Sequence, residues 1–215
     1  DAGRRVTALV TDMGEPLGSH VGNALEVKEA IDVLASRTAG PLLSVSLALG
    51  AQMLLSAGAA KTVKEAEQKL TAALTSGAGM EKLRQMIIAQ QGDPRVCDDV
   101  TLLPQANVIM AVPAAANGYV HAMETTRLGN LAQRMGAGRL EVTDVIDPSV
   151  GFVLHRRVGD PVKKGEPLAT VYCRNEADAG EAVKGIREGI RIGVQPARPV
   201  KLVHALVTAE KITRF

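Results

Sequence analysis

The chain has 215 residues, 46% of them hydrophobic but only 2% aromatic. That is enough for one large or two small domains, with cores built from Ala, Val, Leu, Ile and Met and few rings on which nucleic-acid bases could stack. Its 25 basic and 23 acidic residues leave a net charge of +2 and are interspersed, so no polybasic block tracks a phosphate backbone or an anionic membrane surface. Cys97 and Cys173 belong to no C-x-x-C pair and to no His spacing that would hold a metal, and they are expected as free thiols of a reducing cytoplasm.

In chain order, Val6-Thr7-Ala8-Leu9-Val10 is a short β-prone run that fits a parallel strand buried on both faces. A Gly-rich loop with Gly14, Gly18 and Gly22 follows, then a helix with Asn23 as N-cap, Glu26 in a capping-box position and an apolar stripe of Leu25, Ala30, Val33 and Leu34, ending near Ala35. Leu42 to Ala57 reads as a helix apolar nearly all round, which predicts burial. Ser44, Ser46, Gly50 and Gln52 make the run too polar and too short to span a bilayer. Thr62 and Glu65 form a T-x-x-E capping box for a helix over 63–75 that Gly77 terminates, and a fourth helix runs from about Met80 to Gln90.

From about Val108 the texture changes to short β-prone runs broken by Gly and Pro: 108–112, 118–120, 151–154 and 168–172, with helices over 126–135 and 177–188. A domain boundary is placed there, giving residues 1–106 as the end of an α/β layer and 107–215 as a compact α+β domain. No signal peptide is visible. The chain opens on Asp1, and the run from Arg4 to Asp12 reads as a buried strand with nothing before it, so a fragment, a processed chain or a first half not included here is expected.

By spacing alone the candidate sites are weak. The loop glycines match neither G-x-G-x-x-G nor G-x-x-x-x-G-K-[ST], and tight turns account for them equally well. Asp12, at a strand end, reads as a loop-ordering carboxylate. Glu29 reads as a solvated helix-face carboxylate. Arg139 reads as an ion-pair partner of Asp144 or Asp147, and His121, His155 and His204 stand alone without triad-like partners.

Three separated segments carry a family resemblance that covers essentially the whole chain. They are Asp12-Met13 with Pro16-Leu17-Gly18, Val21-Gly22-Asn23-Ala24-Leu25-Glu26-Val27 and Glu29-Ala30, then Leu128-Gly129 with Gly136-Ala137-Gly138-Arg139, Asp144, Ile146-Asp147 and Val150-Gly151, and the hairpin pattern from Val158 to Val171. Together they resemble the pyrimidine-nucleoside and thymidine phosphorylases. The resemblance implies an α/β fold: part of an α/β phosphorylase domain, then a C-terminal α+β hammerhead (barrel-sandwich-like) domain. It also implies phosphorolysis of a pyrimidine nucleoside to free base and (deoxy)ribose 1-phosphate, with phosphate as co-substrate, in a cytoplasmic homodimer. Leu17, His20 and Glu29 match the family's potassium site, in which loop carbonyls and one helix carboxylate hold the ion.

No catalytic residue carries over. The family's Lys-His-Ser-Thr-Gly-Gly phosphate loop and its pyrimidine-holding Ser-x-x-x-Lys lie in the N-terminal half, and neither motif occurs here. A missing N-terminal half is therefore the expected partner, and the isolated chain is expected to be inactive. The stretch from Val158-Gly159-Asp160 to Val171 also resembles biotinyl and lipoyl carrier domains, which offers a second reading as a stand-alone binding module. Tyr172-Cys173-Arg174-Asn175 stands where such a carrier places its acceptor lysine.

Overall fold

The computed structural model describes residue 3 and residues 6–198 and 201–215. Arg4 and Arg5, the start of the expected first strand, lie outside them. The strands are β1 (Ala8–Thr11), β2 (His20–Val21), β3 (Val108–Pro113), β4 (Gly118–Met123), β5 (Gly151–Leu154), β6 (Pro161–Val162), β7 (Pro167–Cys173), β8 (Ile190–Gly193), β9 (Val203–Val207) and β10 (Ile212–Arg214). The helices are α1 (Asn23–Leu34), α2 (Pro41–Ser56), α3 (Val63–Thr75), α4 (Ala78–Ala89), α5 (Thr125–Ala132) and α6 (Glu176–Gly189).

Two compact units emerge, and neither is continuous in sequence. One contains the segment up to Asp12, Ile31–Cys97 and Lys201–Phe215; the other contains Met13–Ala30 and the segment from Asp98 to about residue 198. These units do not follow a division at 106/107. The chain's last strands return to the first unit, and the Gly-rich loop belongs to the second.

In the first unit β1 pairs antiparallel with β9 (Ala8 opposite Val207), and β9 pairs with β10. The expected parallel strand buried on both faces is therefore corrected. Val6 is 69% exposed, and β1 alternates between exposed and half-buried positions, as suits an antiparallel sheet with one wet face. Its neighbour comes from the far end of the chain, which the apolar run could not reveal.

The helix over 41–56 forms as expected but is not buried. Only Val45 and Ala51 are; α2 packs on α3 through Ala51, Ala66 and Leu70, most of its other apolar residues are half-buried, and Leu49 and Met53 are exposed, Met53 by 71%. The capping box holds, since Glu65 N–H donates to Thr62 Oγ1 at 3.1 Å and Glu65 Oε2 accepts from Lys61 N–H at 2.8 Å. Thr62→Ala is expected to cost about 1 kcal/mol, read as a lower urea midpoint at unchanged slope, with Thr62→Ser close to wild type.

The second unit is built on two antiparallel sheets, β2-β5-β7-β3 and β6-β4-β8. Phe152, Leu168, Val171, Val112 and Val120 pack inward, and helices α5 and α6 contribute Leu128 and Ile186 to the same core. All seven side chains are almost fully buried, each contributing roughly 1.5–3 kcal/mol of hydrophobic stabilisation. Asn175 caps α6 by accepting from Asp178 N–H at 2.9 Å. The chain after β7 therefore enters a helix, where a carrier domain would turn through its acceptor hairpin. Cys173 and Cys97 are buried free thiols, and burial, with Asp178 nearby, pushes the Cys173 thiol up to about 11.

Candidate functional site

The Gly-rich loop is fixed at its end by β2, where His20 lies opposite Val153 and Val21 opposite Phe152. Leu154 N–H donates to Ser19 O at 2.7 Å and extends that pairing. The turn into α1 departs from the expected cap. Gly22, at φ +129°, precedes the helix; its N–H donates to Glu26 Oε1 at 3.1 Å and its carbonyl accepts from Glu26 N–H at 2.8 Å. Asn23 is the first helical residue, and its side-chain amide donates to Ala137 O at 2.9 Å.

With α1 so aimed, Glu29 turns back beneath the loop. It is buried, only 6% exposed, so its description as a solvated helix-face carboxylate is corrected. Oε1 accepts from Ser19 N–H at 2.7 Å and Oε2 from His20 N–H at 3.2 Å. The imidazole of His20 is drawn in as well, its Nδ1 standing 3.6 Å from Oε1, an ion-pair distance that leaves Nδ1 without a hydrogen bond. The loop passes over the carboxylate so closely that a Cβ on Gly18 would lie 2.2 Å from Oε2, so a side chain there would displace the carboxylate from its present contacts. Burial alone raises the Glu29 pKa; the adjacent imidazole and the two N–H groups outweigh it and hold the carboxyl below its ordinary 4.5.

Of the three residues singled out by resemblance, His20 and Glu29 thus meet directly. The carbonyl of Leu17 faces elsewhere, toward the Arg157 guanidinium, with Nη2 at 3.4 Å. The same Nη2 donates to Pro16 O at 2.7 Å, Nη1 donates to Gly18 O at 3.1 Å, and Nη2 lies 3.1 Å from Glu15 Oε1. Neither Arg157 nor Glu15 is among the residues that the sequence singles out, since the stretch from Val158 is marked there only by its resemblance to carrier domains. The available signal was a basic pair, Arg156-Arg157, directly after an apolar strand. His20 also lines a cavity of about 290 Å³ together with Lys28, Leu103, Ile109, Ser149 and Tyr172.

Glu29 thus presents an ionised, desolvated carboxylate whose oxygens accept the N–H groups of Ser19 and His20, and among the described residues no group of three or more His, Cys, Asp or Glu side chains is placed to hold a metal ion.

The remaining candidates serve structural roles. Asp12 Oδ1 lies 3.4 Å from His204 Nε2, and Asp12 N–H donates to Leu202 O at 3.0 Å, tying the end of β1 to β9. Asp144 and Asp147 do not pair with Arg139, which is exposed. Asp144 accepts from the N–H groups of Leu140 and Glu141 at 2.9 Å, and Asp147 from Ser149 N–H, so both order their own turns. His155 shares a 2.7 Å hydrogen bond with Thr170 Oγ1; burial, Arg156 and His20 hold its pKa below the ordinary 6.5. His121 is exposed.

Comparison with known proteins agrees with the motif pattern from both ends of the chain. Residues 119–193 match the family model "Pyrimidine nucleoside phosphorylase C-terminal domain", and residues 1–80 match "Glycosyl transferase family, a/b domain". Similar curated proteins include the pyrimidine-nucleoside phosphorylase of Bacillus subtilis (strain 168), 40% identical over 208 residues that cover 97% of this chain and 48% of that protein. Those of Staphylococcus haemolyticus (38% identical, 97% of this chain and 48% of the relative) and Geobacillus stearothermophilus (38%, 94% and 46%) align in the same way. The chain spans about half the length of the curated relatives it matches, and it belongs to the pyrimidine-nucleoside phosphorylase family.

Proposed function

We propose that this chain is the C-terminal portion of a pyrimidine-nucleoside phosphorylase, working together with an N-terminal half that holds phosphate and base. In that reaction a phosphate oxygen attacks the anomeric carbon, the bond from that carbon to the base nitrogen breaks, and the base leaves with the bonding pair. Positioning and stabilisation of the departing charge supply the acceleration. The observation that carries this reading is the alignment over 97% of this chain and 48% of the relative, supported by two family models matched in order. Residues 1–106 and 107–215 are then the end of the phosphorylase α/β domain and a hammerhead domain, in a cytoplasmic homodimer.

The same reading assigns the carbonyls of Leu17 and His20 and the carboxylate of Glu29 to a potassium ion. Its support is the burial of an ionised Glu29 whose partners are two N–H groups and an imidazole. When bound, the ion would balance that charge and brace the loop; it takes no part in bond breaking here.

The isolated 215-residue chain is expected to show no phosphate-dependent release of thymine from thymidine or uracil from uridine by chromatography. Activity is expected on co-expression with the N-terminal half of a family member. Steady turnover by the isolated chain would place the phosphate and base contacts within these residues and overturn the proposal.

A further inference from the structure

Three consecutive carbonyls, those of Pro16, Leu17 and Gly18, turn toward one guanidinium, and the Glu15 carboxylate joins them. Oxygens gathered so closely repel one another unless a positive charge lies among them. Arg157 supplies that charge from another part of the chain, with its side chain 20% exposed. Its Nε is buried without a hydrogen-bond partner, so the donors of the fork are committed to the loop at the expense of the third nitrogen. The backbone on either side is pinned: Arg157 N–H donates to Asp160 Oδ2 at 2.7 Å, and Val158 N–H donates to Glu15 Oε2 at 3.0 Å. Glu15 therefore contacts both the guanidinium and the backbone that carries it. The loop is gripped twice, with Glu29 taking the N–H groups of Ser19 and His20 and Arg157 taking the carbonyls just before them.

We infer that Arg157 is a positioning residue that acts as the fixed cation of this loop. It does for the carbonyls of residues 16–18 what a diffusible ion does in other oxygen-lined loops, and it shares Leu17 O with any ion held at Glu29. Only that last clause rests on the cation reading above; the clamp itself does not. A planar fork suits the task because it meets several oxygens at once, which a lysine ammonium on a flexible stem cannot reproduce.

The test is amide hydrogen exchange of the peptide spanning residues 13–22 in the full chain, at fixed ionic strength. Arg157→Ala is expected to raise exchange there about tenfold or more, since charge-assisted hydrogen bonds are lost on one side of the loop. Added methylguanidinium is expected to restore protection and N-methylurea is not, while Arg157→Lys falls between wild type and Arg157→Ala. Unchanged exchange in Arg157→Ala, or equal rescue by the uncharged urea, overturns the inference. Should Arg157→Ala fail to fold, Arg157→Lys and Glu15→Gln carry the same comparison, with unchanged exchange in both as the overturning result. Potassium added to Arg157→Ala separates the two readings: protection beyond that given by lithium supports the ion site at Leu17 and Glu29. Indifference to potassium with methylguanidinium rescue intact removes the ion site and upholds the clamp.

Discussion

Gly151→Ala is expected to destabilise the chain by about 3 kcal/mol or more, lowering the melting temperature by roughly 6–12 °C. Gly151 sits at φ +151°, and a Cβ there would lie 2.1 Å from Val21 O and 3.0 Å from Gly22 Cα. Gly22 mirrors it from the other strand, where a Cβ would lie 2.4 Å from Val150 O. The two glycines let β2 run against β5 at a distance no side chain permits, and backbone atoms cannot give way as a flexible side chain can. Relief comes only by peeling β2 from the sheet, which frees the loop at 13–22. The control is Gly165→Ala, also at positive φ but with nothing within 4 Å, expected to cost only about 1 kcal/mol. Because both clashes open the same gap, Gly22→Ala with Gly151→Ala should cost less than the sum of the two. A melting curve for Gly151→Ala that overlays wild type would show that β2 and β5 do not approach in this way.

Glu29→Ala is expected to cost about 2–4 kcal/mol, because it strips a buried charged acceptor from the N–H groups of Ser19 and His20 and leaves them unsatisfied. Glu29→Gln keeps the shape but turns one of its two oxygens into a donor facing a donor, so it should recover only part of the loss. Acid provides an independent readout. The folded pKa of Glu29 lies below its ordinary 4.5, so its contribution is fully present above that value and disappears as pH falls through the lowered folded pKa. Wild type should therefore lose more stability than Glu29→Ala between neutral pH and acid. Parallel pH profiles for the two proteins would mean that the carboxylate is not ionised and anchored as described.

Much of the local structure was legible because its partners are sequence neighbours. The Thr62 and Glu65 box and the stop at Gly77 are each settled within a few residues, by groups that the sequence places in reach of one another. The family motifs were legible in the same way. The misreadings fall where a partner is distant. The run at 6–10 is as apolar as a buried parallel strand, yet Leu206 and Ala205 pair with it antiparallel from almost the other end of the chain. The helix at 41–56 is apolar nearly all round, yet Leu49 and Met53 stand exposed, because burial depends on which elements pack against each face.

The candidate site divides along the same line. The sequence by itself determined the family, the Gly-rich loop leading into a helix, and the presence of Glu29 two turns into that helix. Only the tertiary structure decided that Glu29 is buried under the loop's N–H groups, that Gly18 lies directly against its carboxylate, and that Arg157 reaches back across 139 residues to hold the carbonyls. A capping hydrogen bond forms within one turn of backbone, so its chemistry is written in adjacent letters. The burial that makes a carboxylate or a guanidinium matter comes from every element packed around it, and that exists only once the distant strands have met.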